Sequence, residues 1–180
     1  MNIAVISDIH DNIWTLRAAI SFVQEADVLI CCGDLCSPFI LPMIAERYTK
    51  PIKLVFGNND GDLFRITRQA VRFSNIQIAA EYYQDELGGL KVAAVHYDNI
   101  GLDLARSGQF DLVCFGHNHR HQVEYFGTTL AINPGALMGY SPLENKEISP
   151  TFIIYDTDTK EVKSCQVVNV PAGTTAVKEF

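Results

Sequence analysis

The sequence predicts an α/β fold in which parallel strands come first and antiparallel strands follow. In the first half of the chain, short strands without alternating polar residues are interleaved with helical patterns. Such apolar strands are typical of a parallel sheet that is covered on both faces. In the second half, glycine-containing turns join strands in pairs, which predicts antiparallel hairpins. The length of 180 residues predicts one domain over 1–170, followed by a tail at 171–180 that has little to bury and is expected to be disordered.

The first half contains a predicted β-α-β-α-β succession. Its strands are predicted at 3–7, 27–32 and 52–56. Asn12 is expected to cap the first helix, whose apolar residues recur at helical spacing up to Val23. A second helix begins near Pro38 and ends before Pro51, and a short third helix is predicted at 61–70.

The second half is predicted to contain three hairpins. They pair 82–87 with 90–95, 122–126 with 129–133, and 151–156 with 161–168. A short helix at 101–107 and a strand at 111–115 are predicted between the first two hairpins. The segment 142–150 has the composition of a surface loop.

The composition excludes several classes of protein. Lys and Arg number 14 and Asp and Glu number 21, and the net charge of −7 counts against a general nucleic-acid binder or a protein of anionic membrane surfaces. The N-terminus runs directly into an apolar strand and no window approaches about 18 apolar residues, so neither a signal peptide nor a membrane span is predicted. The five cysteines lack the spacing of a disulfide framework, so we expect reduced thiols and a cytoplasmic protein.

Polar side chains that can bind metal ions follow five of the predicted strands. They occur in the segments Asp8-Ile9-His10, Gly33-Asp34, Gly57-Asn58-Asn59-Asp60, His96 and Gly116-His117-Asn118-His119. Four of the five histidines of the chain fall in these segments. Because ligands bind at the carboxyl ends of the strands in α/β sheets, we expect these side chains to form one site.

Seven of these residues offer nitrogen or oxygen ligands, and none offers a thiolate. They are Asp8, His10, Asp34, Asn58, His96, His117 and His119. Seven such ligands are too many for one tetrahedral zinc ion, but they suit two five- or six-coordinate divalent ions. One carboxylate must then bridge the ions, and Asp34 is the natural choice because it stands alone after its strand. Two ions about 3.5 Å apart can share a hydroxide and neutralise both ends of a phosphoryl displacement.

In this order, the five segments resemble the motif series of the calcineurin-like metallophosphoesterase superfamily, D-x-H, G-D, G-N-[HN]-D, H and G-H-x-H. Asn133-Pro134-Gly135 is also similar to a turn of the small single-domain bacterial and archaeal phosphodiesterase type. The resemblance implies a four-layer α-β-β-α sandwich, in which helices flank two mixed β-sheets. It further implies hydrolysis of a small phosphodiester by a hydroxide that bridges two divalent ions. Manganese is the first choice of metal, with iron, nickel, cobalt and zinc as alternatives, and relatives of this size often form homo-oligomers.

The resemblance also implies a role for each residue of the site. One ion would be held by Asp8, His10, Asp34 and His119, and the other by Asp34, Asn58, His96 and His117. Asn59 and Asp60 would be the catalytic pair, with Asn59 at the phosphoryl group and Asp60 supporting the residue before it.

The chain departs from the family pattern at three positions. Many relatives have His where this chain has Asn59, and an amide can donate a hydrogen bond but cannot act as a general acid. The enzyme should then favour good leaving groups, or the acid must come from another residue, and the missing histidine motivates the preference for diesters. Tyr97 and Asp98 replace the Gly and the outer His of a common His-Gly-His segment. Two interpretations of Asp98 stay open, orientation of His96 or repulsion of an anionic substrate, and Tyr97 could stack on an aromatic leaving group.

Two other functions stay open beside the diesterase, a phosphomonoesterase and an interaction scaffold like the retromer subunit of the same fold. The complete ligand set counts against the scaffold, because clustered polar groups are costly to keep without a use. His121 is predicted to lie near the site without binding metal. Arg120 is predicted to be solvated, and Cys36 to be a buried small hydrophobe.

Overall fold

Two β-sheets pack face to face in the computed structural model, which describes residues 1–170 and 174–180. Helices cover the outer face of each sheet. This confirms the four-layer sandwich that the family resemblance implied. None of the helices in the described ranges is long and apolar enough to cross a membrane.

The elements alternate between strands and helices in the first half and are mostly strands in the second. The first seven are β1 (Asn2–Ile6), α1 (Ile13–Phe22), β2 (Val28–Cys31), α2 (Ile40–Ala45), β3 (Ile52–Leu54), α3 (Leu63–Ala70) and β4 (Ile76–Ile78). Next are β5 (Tyr82–Leu87), β6 (Leu90–Val95), α4 (Asp98–Arg106), β7 (Leu112–Cys114), β8 (His121–Phe126) and β9 (Thr129–Pro134). The last five are β10 (Tyr140–Ser141), β11 (Lys146–Glu147), β12 (Thr151–Asp156), β13 (Val162–Val170) and β14 (Thr174–Glu179).

The larger sheet has seven strands in the order β14-β13-β12-β1-β2-β3-β4. Strands β1 to β4 are parallel, as their apolar sequences predict, and β12 to β14 extend the sheet in antiparallel pairing. Side chains on one face of this sheet pack against α1, α2 and α3, where Leu16 and Ile44 are buried. Asn12 caps α1 as predicted, since its side chain accepts a hydrogen bond from the Thr15 N–H.

The smaller sheet has five strands in the order β5-β6-β7-β9-β8. Two hairpins, β5–β6 and β8–β9, flank the parallel strands β6, β7 and β9. Gly88 and Gly89 both have positive φ in the first hairpin turn, a conformation that suits the right-handed twist of paired strands. One face packs on the larger sheet through residues such as Ile30 and Ile132, and the other packs against α4.

Three predicted segments need correction. The tail is not disordered over Thr174–Glu179, because this segment pairs with β13 and Val177 packs against the core beneath α1. Residues 171–173 of that prediction lie outside the described residues. The predicted loop at 142–150 contains part of a small hairpin, in which Tyr140 lies opposite Glu147. Strand β4 was not predicted, because three residues are too few to show a period.

Candidate metal centre

The ends of five strands bring the predicted ligands into one cluster. Asp8 and His10 follow β1, Asp34 follows β2, Asn58 follows β3, His96 follows β6, and His117 and His119 follow β7. The strand ends belong to both sheets, so the cluster lies where the two sheets meet. Asp8, Asp34, His96 and His119 are buried, whereas Asn58 is exposed to solvent.

The backbone of the cluster is held in conformations that non-glycine residues rarely adopt. Asp8, His10, Asp34, His117 and His119 all have φ between 42° and 73°. Each such residue costs on the order of 1–3 kcal/mol, and the surrounding structure must impose it. Two of the loops brace each other, since the N–H groups of Ile9 and His10 donate to the carbonyl oxygen of Asp34. The structure therefore presents these side chains at a cost in backbone energy, as functional sites often do.

Two glycines let the loops approach each other closely. A Cβ atom on Gly57 would overlap the Asp34 carboxylate and lie 2.8 Å from His96 Cε1. A Cβ atom on Gly116 would overlap Ser7 and lie 2.6 Å from Asp8 Oδ2. The glycines beside the ligands are needed because the neighbouring chain occupies the space of a side chain.

The first group of donors contains Asp8, His10 and His119. His119 Nε2 lies 3.4 Å from Asp8 Oδ1, and His10 Nε2 lies 3.9 Å from the same oxygen. His10 Nε2 is also 3.3 Å from Asp34 Oδ2. The donor atoms of Asp8, His10 and His119 lie within 4.8 Å of one another, close enough to share one ion.

The second group contains Asp34, Asn58, His96 and His117. His96 Nε2 lies 3.4 Å from Asp34 Oδ2 and 3.0 Å from Asn58 Oδ1. His117 Nδ1 lies 2.9 Å from the same Asn58 oxygen. Asp34 Oδ2 therefore stands between the two groups, where a bridging carboxylate would be. Asp8 also lies within the same 4.8 Å limit of Asp34 and His96.

Three of the histidines are oriented by their Nδ1 atoms. Nδ1 of His96 lies 2.7 Å from the carbonyl oxygen of Cys32, and Nδ1 of His119 lies 2.7 Å from the carbonyl oxygen of Tyr140. Nδ1 of His10 lies 3.5 Å from Cys36 Sγ. Metal-binding histidines commonly donate one ring N–H in this way and bind through the other nitrogen. In all three residues the Nε2 atom faces the cluster.

The electrostatics of the cluster also suit a cation. Two buried side-chain atoms within the described ranges have no hydrogen-bond partner, and both belong to the first group: Asp8 Oδ1 and His10 Nε2. Burial opposes the charge on Asp8, but the imidazoles of His10 and His119 outweigh it and lower the Asp8 pKa. Burial likewise opposes the charge on His10, but the nearby Asp34 and Asp8 carboxylates raise its pKa to about 11. The buried carboxylates thus favour positive charge beside them, and the nitrogen and oxygen donors of the cluster fit divalent ions.

Asn59 and Asp60 both contact the loop that carries Asp34. The Asn59 side-chain amide donates to Asp34 Oδ2 at 2.8 Å, and its backbone N–H donates to Asp34 Oδ1 at 2.8 Å. Asn59 therefore orients the central carboxylate. Asp60 is buried, and its oxygens accept from the backbone N–H groups of Asp34, Cys36 and Gly57. Asp60 thus positions the loops from beneath, rather than facing a substrate.

Comparison with known protein families agrees with this geometry. Residues 1–160 match the family model described as the calcineurin-like phosphoesterase superfamily domain. The chain belongs to the calcineurin-like phosphoesterase superfamily. A curated relative, the phosphodiesterase MJ0936 of Methanocaldococcus jannaschii, is 31% identical over 167 residues, which cover 91% of this chain and 97% of that protein.

Solved structures of the superfamily fold are also similar. An archaeal structure described as a novel phosphodiesterase aligns with a TM-score of 0.82 and 30% identity, and covers 92% of this chain and 99% of its own. Vacuolar Protein Sorting 29 from Cryptosporidium parvum aligns with a TM-score of 0.70 and 20% identity over 99% of this chain and 97% of its own. At that lower identity, the second similarity shows the fold alone.

The structure resolves the two positions where this superfamily member departs from the His-Gly-His segment. Asp98 accepts a hydrogen bond from the Asn118 side chain at 2.9 Å, so it braces the loop between His117 and His119 rather than orienting His96. The Tyr97 ring packs edge-on against His96 and His117, with ring centres 5.4 and 5.0 Å away. Tyr97 therefore forms one wall of the second group of donors.

Sequence reasoning assigned Cys36 to the core, and the structure instead places its thiol against His10. Its position two residues after Asp34 is the signal that could have indicated this role. His121 lies at the start of β8 and contacts Ser164 Oγ at 2.9 Å, away from the ligand atoms. Arg120 is exposed and lies 3.5 Å from Glu144.

Proposed function

We propose that this protein is a phosphodiesterase that depends on two divalent metal ions. The observation that carries the proposal is the orientation of His10, His96 and His119, whose Nδ1 atoms are engaged while their Nε2 atoms converge on Asp8 and Asp34. Asp8, His10, Asp34 and His119 would hold one ion, and Asp34, Asn58, His96 and His117 the other. Manganese is the proposed metal, since it accepts nitrogen and oxygen ligands of this kind.

The ions, when bound, would supply a nucleophilic hydroxide and neutralise charge on the phosphoryl group. The chain itself contributes orientation. Asn59 holds both oxygens of Asp34, and Asp60 holds the backbone on which Asp34 and Gly57 lie. Tyr97 closes one side of the site beside His117. These contacts fix the donors before a substrate arrives, which is the arrangement that favours catalysis by preorganisation.

The preference for diesters rests on Asn59. Its amide is engaged with Asp34 and cannot supply a proton to a leaving group near neutral pH. Diesters with good leaving groups need such a proton least, and the curated relative is described as a phosphodiesterase. We expect an activated aryl diester to be hydrolysed faster than the corresponding aryl monoester. Much faster hydrolysis of the monoester would contradict the diester preference and favour a phosphomonoesterase.

The first experiment measures hydrolysis of an activated aryl phosphodiester by metal-stripped protein, with and without added manganese. The Asn58→Ala variant loses one ligand of the second group only. We expect it to retain about one ion instead of two by elemental analysis, and to lose at least about 100-fold in turnover, because one ion alone cannot stabilise both ends of the displacement. Asn99→Ala on the exposed start of α4 is the matched control, and should behave as wild type.

Unchanged turnover in Asn58→Ala would show that the metal assignment is wrong. An absence of turnover with any divalent ion, in protein that is folded, would favour the interaction scaffold instead. Stoichiometric binding to a partner protein would then be the property to measure.

A further inference from the structure

Three arginines on and just after α3 form a cationic surface. A surface groove of ≈ 260 Å³ is lined by Arg65, Arg68, Gln69 and Arg72. The arginines are three and four residues apart, a spacing that puts them on one side of a helix. On the other side of α3, Ile66 and Ala70 are buried against the core. The arginine surface is therefore the outward face of a helix whose opposite face packs against the core.

The charge of the chain is unevenly distributed along the sequence, and the segment that holds the three arginines lies between Asp62 and Glu81. The segment 63–80 contains three arginines and no acidic residue, so it carries +3. Since the whole chain carries −7, the remainder carries −10. A local positive field of this kind attracts polyanions even where the net charge is negative.

The arginines are available to a ligand. Arg65 contacts the partly exposed Asp62 at 3.4 Å, and such surface ion pairs are weak. Within the described part of the chain, Arg68 and Arg72 form no salt bridge. The Arg68 guanidinium lies 5.7 Å from the centre of the Phe64 ring, which is 71% exposed. An open aromatic ring among arginines is a combination that binds single-stranded nucleic acids, with bases on the ring and phosphates on the guanidinium groups.

The surface is close to the candidate metal centre along the chain. Leu63, the first residue of α3, is four positions after Asn59, so their Cα atoms lie within about 14 Å of each other. Asp60 ties this connection to the backbone of Asp34 and Cys36. The N-terminal end of α3 is therefore the part of the arginine surface that lies nearest to the metal centre along the chain.

We propose that the arginine surface of α3 binds short single-stranded oligonucleotides and presents one of their phosphodiester bonds to the metal centre. The presentation step rests on the proposed phosphodiesterase function. We favour a nucleic acid over a membrane surface, because Phe64 offers an aromatic face for a base among the arginines, while Ile66 and Ala70 of α3 are buried in the core. Leu63 and Val71 also remain exposed beside the arginines, so lipid vesicles are the competing ligand in the test.

Binding is tested first without catalysis, in EDTA, by the fluorescence anisotropy of a fluorescein-labelled oligothymidylate. The triple variant R65Q/R68Q/R72Q should bind at least about tenfold more weakly than wild type, and the slope of log affinity against log salt should fall by about 2. The control variant R17Q/R47Q/R106Q removes the same charge from exposed arginines elsewhere and should bind nearly as wild type. Circular dichroism checks the fold, and R68Q alone serves if the triple variant is unstable.

The Phe64→Ala variant tests base stacking, and should weaken binding by about fivefold or more without changing the salt slope. Equal losses in both triple variants, or binding to phosphatidylserine vesicles without binding to the oligonucleotide, would overturn the proposal.

Hydrolysis of the small aryl diester separates this proposal from the proposed function. With manganese, the arginine variant should retain small-ester turnover and lose oligonucleotide cleavage at low substrate concentration. If the wild-type protein binds the oligonucleotide through the arginines but hydrolyses no ester, the binding role of the arginine surface is supported and the proposed phosphodiesterase function is contradicted. If the arginine variant cleaves the oligonucleotide as fast as wild type, the binding role of the arginine surface is contradicted, while the proposed phosphodiesterase function remains supported.

Discussion

At the residue scale, the contact between Cys36 and His10 is the least usual in the candidate metal centre. The other two oriented histidines, His96 and His119, use backbone carbonyl oxygens, which are fixed by the fold. His10 depends instead on the side chain of Cys36, whose own backbone is in the left-handed region with φ of 73°. The orientation of His10 is therefore sensitive to substitution at position 36.

We predict that Cys36→Ala weakens metal binding about 10- to 100-fold, because the partner that orients His10 is lost. Cys36→Ser keeps a polar atom at this position and should recover most of the affinity. Metal titration of the stripped protein measures both variants. Equal affinities of Cys36→Ala and wild type would show that the thiol does not orient the imidazole.

The metal-free cluster should hold protons that a metal ion must displace. The Asp34 and Asp8 carboxylates raise the pKa of His10 to about 11 against the effect of burial, and neighbouring carboxylates also raise the pKa values of His96 and His119. The His10 imidazole is thus charged at neutral pH when no metal is bound. Because the folded pKa values of the three imidazoles lie above the ordinary value, their contribution to stability is present at low pH and is lost as pH rises through the folded pKa.

We predict that metal binding releases about one or more protons at pH 7 and strengthens as pH rises, by about tenfold per pH unit for each proton displaced. Calorimetric titration in buffers of different ionisation enthalpy counts the protons. His10→Gln should reduce the count. His121→Gln should not, because burial lowers the pKa of His121 and it lies away from the ligands. Metal binding without proton release would contradict the prediction.

At the element scale, one buried carboxylate in the loop between β3 and α3 ties that loop to the segment after β2, the neighbouring strand of the larger sheet. Asp60 accepts three backbone N–H groups from the segments that follow β2 and β3. The neighbouring Asp62 has a local role, since it caps α3 by accepting from the Arg65 N–H. The two carboxylates are two positions apart and differ in burial, so they form a matched pair.

We predict that Asp60→Ala lowers the free energy of unfolding by about 3 kcal/mol, because buried N–H groups lose a charged acceptor. Metal content should fall with it, since Asp34 and Gly57 lose their support. Asp62→Ala should cost about 1 kcal/mol and leave metal content unchanged. Urea denaturation and elemental analysis measure these effects. Similar losses of stability and metal content in the two variants would mean that Asp60 supports the metal centre no more than Asp62 does.

At the scale of the whole molecule, the candidate metal centre joins the two sheets. Its ligands come from three strand ends of the larger sheet and two of the smaller sheet. A metal ion bound there would add links between the sheets, beyond the apolar core that they share. Metal binding should therefore stabilise the whole protein rather than one loop.

We predict that manganese at about 100 times its dissociation constant stabilises the folded protein by about 3 kcal/mol. The melting temperature should rise by roughly 6–12 °C for a chain of this size. Differential scanning fluorimetry with manganese and with EDTA measures the shift. The Asp34→Asn variant, which lacks the central carboxylate, should show little shift. A shift of equal size in this variant would place the stabilising ion elsewhere.

The order and spacing of residues were enough to predict the parallel sheet and to name the residues that meet at the candidate metal centre, whereas the layered fold was implied by the family resemblance. Strands without alternating polar residues predict a parallel sheet that is covered on both faces, and the carboxyl ends of such strands lie at one edge of the sheet. Asp8, Asp34, His96 and His119 could therefore be placed together without coordinates. These predictions succeed because period and strand direction are local properties of the chain.

The contacts around those ligands depend on tertiary structure. Cys36 meets His10 across 26 positions, Asn59 meets Asp34 across 25, and Asn118 meets Asp98 across 20. Each contact is made in a loop whose path depends on the packing of two sheets. It therefore cannot be predicted from the local periodicity of the sequence. Sequence spacing shows which residues reach the candidate metal centre. Only the packing of the two sheets decides which atoms of those residues face it and which neighbouring side chains hold them in place.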